Sequence, residues 1–319
     1  MAGMAGLPDG AFLVLSATEF FLGVLGNGFI GVVNGGSWFE SKRISLCDFI
    51  ITSLALSRIV LLCIIMFDAV LLVFFPKVHD GGEGMQVIDI FWAFTNHLSI
   101  WLATCLGVFY CLKIASFSRP TFLWLKWRVH GVVVGMLLGA LLLSCGSALS
   151  LIHEFKLYYA LRGLDGAGNV TEHFRKQMNK YQVSHVLGTL WNLPPLLVCL
   201  ASYVLLILSL GRHGRRMRHS SARPGDASTE AHKRATRMIL SFLFLFLLYF
   251  AGFLITTSSY FLPGTKMTKM TGELIAMMYP AGHSFILILG NNRLKQTFVE
   301  ILWCESGRLK SGSRRRFSP

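Results

Sequence analysis

Apolar residues run along this chain in blocks, without the alternation of a half-buried strand. Seven such blocks lie at about 9–33, 47–75, 87–117, 129–152, 182–210, 237–261 and 269–290. A run of about 18 or more apolar residues with few charges reads as a transmembrane helix, and about 20 suffice to cross. Several blocks are longer, so their extra turns are expected to tilt or to project into water. In lipid every backbone N–H and C=O must be satisfied internally, which makes these blocks helices. The expected fold class is all-α, a seven-transmembrane helix bundle. It forms one domain over residues 1–319, with residues 291–319 as a tail.

Composition agrees. Of the 319 residues 53% are hydrophobic and only 14% are charged, where a soluble domain carries about 25% charged residues. The opening MAGMAGLPDG has no basic segment and is followed by an apolar run too long for a cleaved leader. The first helix is therefore expected to act as its own insertion signal. With the N-terminus placed outside, 21 of the 30 Lys and Arg fall in inside loops and the C-terminal tail, 8 fall outside, and Arg58 lies within a helix. The positive-inside rule thus favours an extracellular N-terminus and a cytoplasmic C-terminus. The net charge of +14 is mostly this asymmetry, which argues against nucleic-acid binding. The runs GRHGRRMR (211–218) and RRR (314–316) read as orientation signals in contact with anionic membrane lipid, or as a docking surface for an acidic cytosolic partner. The sequon NVT places a glycosylation site at Asn169, in the longest outside loop. None of the seven cysteines falls in an outside loop, so no extracellular disulfide is expected. No Cys/His spacing suggests a metal, and no cofactor is implied. Cys304, just past the last helix, is a candidate for palmitoylation.

Polar groups inside the membrane are costly unless they face the bundle interior. Asn27 in helix 1 and Arg58 in helix 2 are expected to face each other and the pair His283–Ser284 in helix 7, as a helix-locking network. In helix 3, Trp92 and Asn96 are four apart and share a face near the outer end, which suits a pocket wall open to the outside. Pro194 and Pro195 should kink or unwind helix 5. Tyr249 is the one polar group over about two turns of helix 6, so its hydroxyl is expected to point inward. In helix 7, Glu273 and His283 are ten residues apart, roughly 15 Å along the axis, and do not share a site. Glu273 is assigned to recognition near the outer surface. His283 and Ser284 are assigned to packing and switching, with Pro280 as the joint between.

The segments LSRI around Arg58, FYCLKIASF (109–117), LKWRV (125–129), SLGRH (209–213), EAHKRA (230–235) and YPAGHSFILILGN (279–291) resemble the signatures of bitter taste receptors, the type 2 taste receptor family. The likeness covers essentially the whole chain. It implies a G-protein-coupled receptor in the plasma membrane that binds bitter small molecules from outside, in a pocket lined by helices 3, 5, 6 and 7. It places ligand-binding roles on Trp92, Asn96 and Glu273, and a pocket floor on Tyr249. It implies a heterotrimeric G protein of the gustducin type as partner, engaged by Tyr110, Lys113, Lys126, Arg128, His213, His232 and Lys233. Pro195, Asn27, Arg58, His283 and Ser284 remain structural or switching residues. The family's glycosylation site falls on Asn169.

Other seven-helix chemistries fit less well. A retinal pump needs a lysine in the middle of helix 7, and Lys269 sits at its outer end. A transporter, the alternative reading, would show repeated halves and paired intramembrane ionisable groups. For an enzyme, Ser284 beside His283 is the nearest dyad, but adjacent helical residues point about 100° apart.

Overall fold

The computed structural model of the chain describes residues 6–41, 45–79, 83–162, 190–219, 227–258, 266–301 and 303. Among them are helices and no strand. α1 is Leu7–Ser41, α2 Leu46–Phe74, α3 Pro76–His79, α4 Glu83–Ile114, α5 Pro120–Trp127, α6 Val129–Arg162, α7 Leu193–His219, α8 Ala227–Ser258 and α9 Lys266–Gly290, and α10 covers 292–301. Seven of them are long and apolar enough to cross a bilayer: α1, α2, α4, α6, α7, α8 and α9. This is the seven-helix fold expected from the apolar blocks.

α4 is the axis of the bundle. It packs against α2, α6 and α7, while α1 lies on α2 and α9, and α8 joins α7 to α9. In its most apolar stretch α4 is 72% buried, against 22% for α6, which closes the outside of the bundle against α4. The polar side chains follow this order. Thr95, Asn96, His97, Ser99 and Thr104 of α4 are all buried, as expected for polar groups that must avoid lipid.

The two prolines of helix 5 sit at the start of a helix and not in its interior. Trp191 and Asn192 form a turn, and Pro194 and Pro195 occupy the first turn of α7. There the missing proline N–H has no helical partner to lose. The buried Thr104 hydroxyl of α4 donates to the Pro195 carbonyl at 3.1 Å. A bond across the bundle thus ties the first turn of α7 to α4.

α1 and α9 approach closely. A Cβ on Gly26 would lie 2.5 Å from Oγ and 3.3 Å from Cβ of Ser284, so a side chain there would have to displace Ser284. At the far end, Arg293 donates to the Val33 carbonyl at 3.0 Å and to the Ser37 hydroxyl, and Phe298 meets Phe29 edge-on at 5.4 Å. These contacts seat α10 against α1.

Candidate functional site

At the end of the bundle expected to face outward, α2, α4 and α9 enclose a cavity of about 70 Å³. Asp68 of α2, Asp89 and Trp92 of α4, and Lys269 and Glu273 of α9 line it, over a floor of Ile65 and Ala276. Lys269 and Glu273 are one turn apart and 3.7 Å from nitrogen to oxygen. The same ammonium lies 3.6 Å from Asp68 and bonds the His79 ring of α3, while His79 lies 3.4 Å from Asp68. One lysine therefore bridges three elements. Glu273 is buried, 8% exposed, and its neighbours in the cavity are Asp68, Lys269 and the Trp92 ring.

The structure brings Trp92 and Glu273 into this one cavity. Asn96 and Tyr249 lie outside its lining and bond to each other: the Tyr249 hydroxyl donates to Oδ1 of Asn96 at 3.0 Å, joining α4 to α8. This cavity draws on α2 as well as on α4 and α9. Asp68, Asp89 and His79 were passed over in the sequence. An acid within an apolar block such as FDAVLLVFF was the signal that could have found Asp68.

Beneath Asn96 a column of rings runs inward. Tyr249 lies 5.2 Å from Tyr279, Tyr279 lies 5.5 Å from His283, and His283 lies 4.4 Å from Phe242, all between ring centroids. Tyr203 of α7 stacks on Phe242 at 6.4 Å. Arg58 places its guanidinium 5.0 Å from the Tyr279 ring centroid. This puts Arg58 on the ring next to His283. The long Arg58 side chain reaches Tyr279, one turn along α9 from His283. Asn27 instead donates to Gly23 O at 2.8 Å and to Pro280 O at 3.2 Å, and Ser284 donates to Ala281 O at 2.6 Å.

His97, next to Asn96, is a second residue the sequence reading missed. Its Nε2 lies 3.0 Å from the Trp191 carbonyl and its Nδ1 3.0 Å from the Ser144 hydroxyl. A carbonyl only accepts, so the ring carries its proton on Nε2. His97 thereby ties α4 to α6 and to the turn that precedes α7.

The residues assigned to G-protein coupling gather at the opposite end. Tyr110 meets the Cys47 thiol at 3.7 Å, Lys113 lies 4.9 Å from the Phe109 ring, Lys126 donates to Ala115 O, and Arg128 lies 5.1 Å from the Trp124 ring. The side chains of His213, His232 and Lys233, and residues Asn169 and Cys304, lie outside the described residues.

Comparison with known proteins decides the class. The family model for taste receptor protein (TAS2R) matches residues 4–306. The chain belongs to the taste receptor protein (TAS2R) family. It is 69% identical over 309 residues to "Taste receptor type 2 member 3" of Papio hamadryas, covering 97% of this chain and 98% of the relative. It is 67% identical over 311 residues to the protein of that name in Homo sapiens, covering 98% of each chain, and 57% identical over 311 residues to the one in Mus musculus, again 98% of each. The protein is therefore a taste receptor of the G-protein-coupled class, spanning the membrane several times. A receptor role also sets the transporter alternative aside.

Proposed function

We propose that this taste receptor stands in the plasma membrane with its N-terminus outside, binds bitter small molecules at the Trp92–Glu273 cavity, and activates a gustducin-type heterotrimeric G protein. The observation that carries the reading is the sharing of one cavity by an aromatic plate and a buried carboxylate. That pair suits a cationic amphiphile, which stacks on Trp92 and pairs with Glu273.

The cavity of about 70 Å³ is smaller than the roughly 300–1,000 Å³ typical of a small-molecule site. A ligand must therefore widen it, and Lys269 is the group in the way. In this mechanism a ligand cation takes the place of the Lys269 ammonium between Asp68 and Glu273. Relief of that ion pair frees the outer end of α9 and, through Tyr249 and Tyr279, disturbs the ring column. The ligand favours whichever state it contacts better; here that is the state in which the inner ends of α7 and α8 separate and expose a basic surface to the Gα subunit. Tyr110, Lys113, Lys126, Arg128, His213, His232 and Lys233 form that surface.

The test is a calcium or GTPγS assay in cells expressing the receptor with a gustducin-type Gα chimera. A concentration-dependent response to members of a broad bitter panel is expected. Silence across the panel, with surface expression verified, would overturn the reading.

A further inference from the structure

A second and larger cavity, about 820 Å³, lies at the opposite end of the bundle, between the α4–α5 connection, α5 and the last turns of the α7 span. Two cations, Lys126 and Arg212, and three hydroxyls, those of Ser116, Ser118 and Ser209, face it, and no carboxylate is among its lining residues. The wall is built from local bonds. The Ser116 N–H donates to the Ser209 hydroxyl at 2.9 Å and so pins the connection to α7. Lys126 donates to the Ala115 carbonyl at 2.9 Å, and the Arg212 guanidinium lies 5.6 Å from the Phe117 ring. An ammonium has three N–H donors and a guanidinium five, so both cations keep donors for an acceptor in the cavity. Neither pairs with a carboxylate among the described residues.

Depth adds an independent constraint. The α4 span ends at Ile114 and the α7 span at Arg212, and both residues line the cavity. The cavity therefore opens at the boundary between hydrocarbon and water. Trp127 at its rim is 90% exposed, and Leu123 and Trp124 beside it are exposed as well. Exposed tryptophans at this level are characteristic of a membrane interface.

We propose that this cavity holds the headgroup of an anionic phospholipid, its phosphate between Lys126 and Arg212 and its acyl chains passing over Leu123 and Trp127. Charge complementarity selects the anion, and the apolar rim at bilayer depth selects a lipid over a free phosphate. The inference goes beyond the coupling role given to Lys126 and needs neither the G protein nor a particular orientation.

The experiment uses the full chain in nanodiscs of phosphatidylcholine doped with phosphatidylserine, with no G protein, and counts retained lipids by native mass spectrometry. The wild type is expected to retain phosphatidylserine in preference to phosphatidylcholine. The double variant Lys126→Gln, Arg212→Gln is expected to lose that preference by about tenfold or more, the worth of two cationic contacts. Ser118→Glu, on the exposed connection, adds a repelling carboxylate without disturbing the core and is expected to act in the same direction. Equal retention by wild type and both variants, with their melting curves intact, would overturn the proposal and leave the cavity to an acidic protein partner. Complete displacement of the lipid by inorganic phosphate would overturn it in favour of a free-anion site.

Discussion

The hydroxyl of Tyr249 donates to the side-chain carbonyl of Asn96 across 3.0 Å, with both residues buried. The bond spans α4 and α8 one turn below the cavity that holds Trp92. Replacing Tyr249 by Phe leaves a buried amide oxygen without its donor, which costs about 1–3 kcal/mol. The variant is expected to melt at a lower temperature. In a double-mutant cycle with Asn96→Leu, the two losses should fall short of additivity by about 1 kcal/mol. Additive losses would mean that the bond contributes nothing.

Glu273 and Lys269 should act on cationic agonists in opposite directions. Glu273→Gln removes the charge that attracts the ligand, and a lost charge-assisted bond raises EC50 by about tenfold or more. Lys269→Met removes the resident cation and is expected to lower EC50 for the same compounds. Neutral agonists should respond little to either change. Parallel concentration–response curves for a cationic agonist and a neutral one provide the measurement.

His97→Leu deprives the Trp191 carbonyl and the Ser144 hydroxyl of their common partner. Ser144 keeps its bond to Ala140 O, but the Trp191 carbonyl left unsatisfied costs about 1–3 kcal/mol, so a fall in surface expression and in thermal stability is expected. Ser144→Ala removes one of the two bonds and should cost about 1 kcal/mol. Equal effects of the two variants would show that the Trp191 link carries no weight.

Two glycines of α1 provide a matched pair. A Cβ on Gly26 meets Ser284, whereas one on Gly28 meets nothing within 4 Å. Gly26→Val should destabilise the receptor by about 1–3 kcal/mol through overpacking. Gly28→Val should be close to neutral. Thermal melting of the two purified variants distinguishes them.

The helices were legible because the bilayer leaves so few solutions: a long apolar block must be a helix. The joining of Trp92 and Glu273 was legible because both lie at one depth and both need an interior face. What the sequence reading missed concerns rotation about the helix axis and lateral neighbours. Depth puts Arg58, Asn27 and His283 within a few turns of each other, but only the packing of α1, α2 and α9 sends Arg58 to Tyr279 and Asn27 to a backbone carbonyl. Asp68 carried the same signal as Glu273, an acid in an apolar block, and lacked only an evident partner. That partner, Lys269, belongs to a helix about two hundred residues further along the chain. Spacing alone put Asn96 on the face of Trp92, one turn away, but its bond to Tyr249 depends on how far α8 leans toward α4.

Asn27 holds the peptide carbonyl at Pro280, the position where α9 is weakest as a rod. A rod loosened at one point and pinned there to its neighbour behaves as a lever with a fixed fulcrum. Glu273 lies seven residues beyond that fulcrum, about 10 Å at 1.5 Å per residue. A small angular change at residue 280 is therefore magnified into displacement at the Lys269–Glu273 end, while the turn bearing His283 and Ser284 stays seated on Gly26. The leverage also runs in reverse: a modest push on Glu273 arrives at Pro280 as torque.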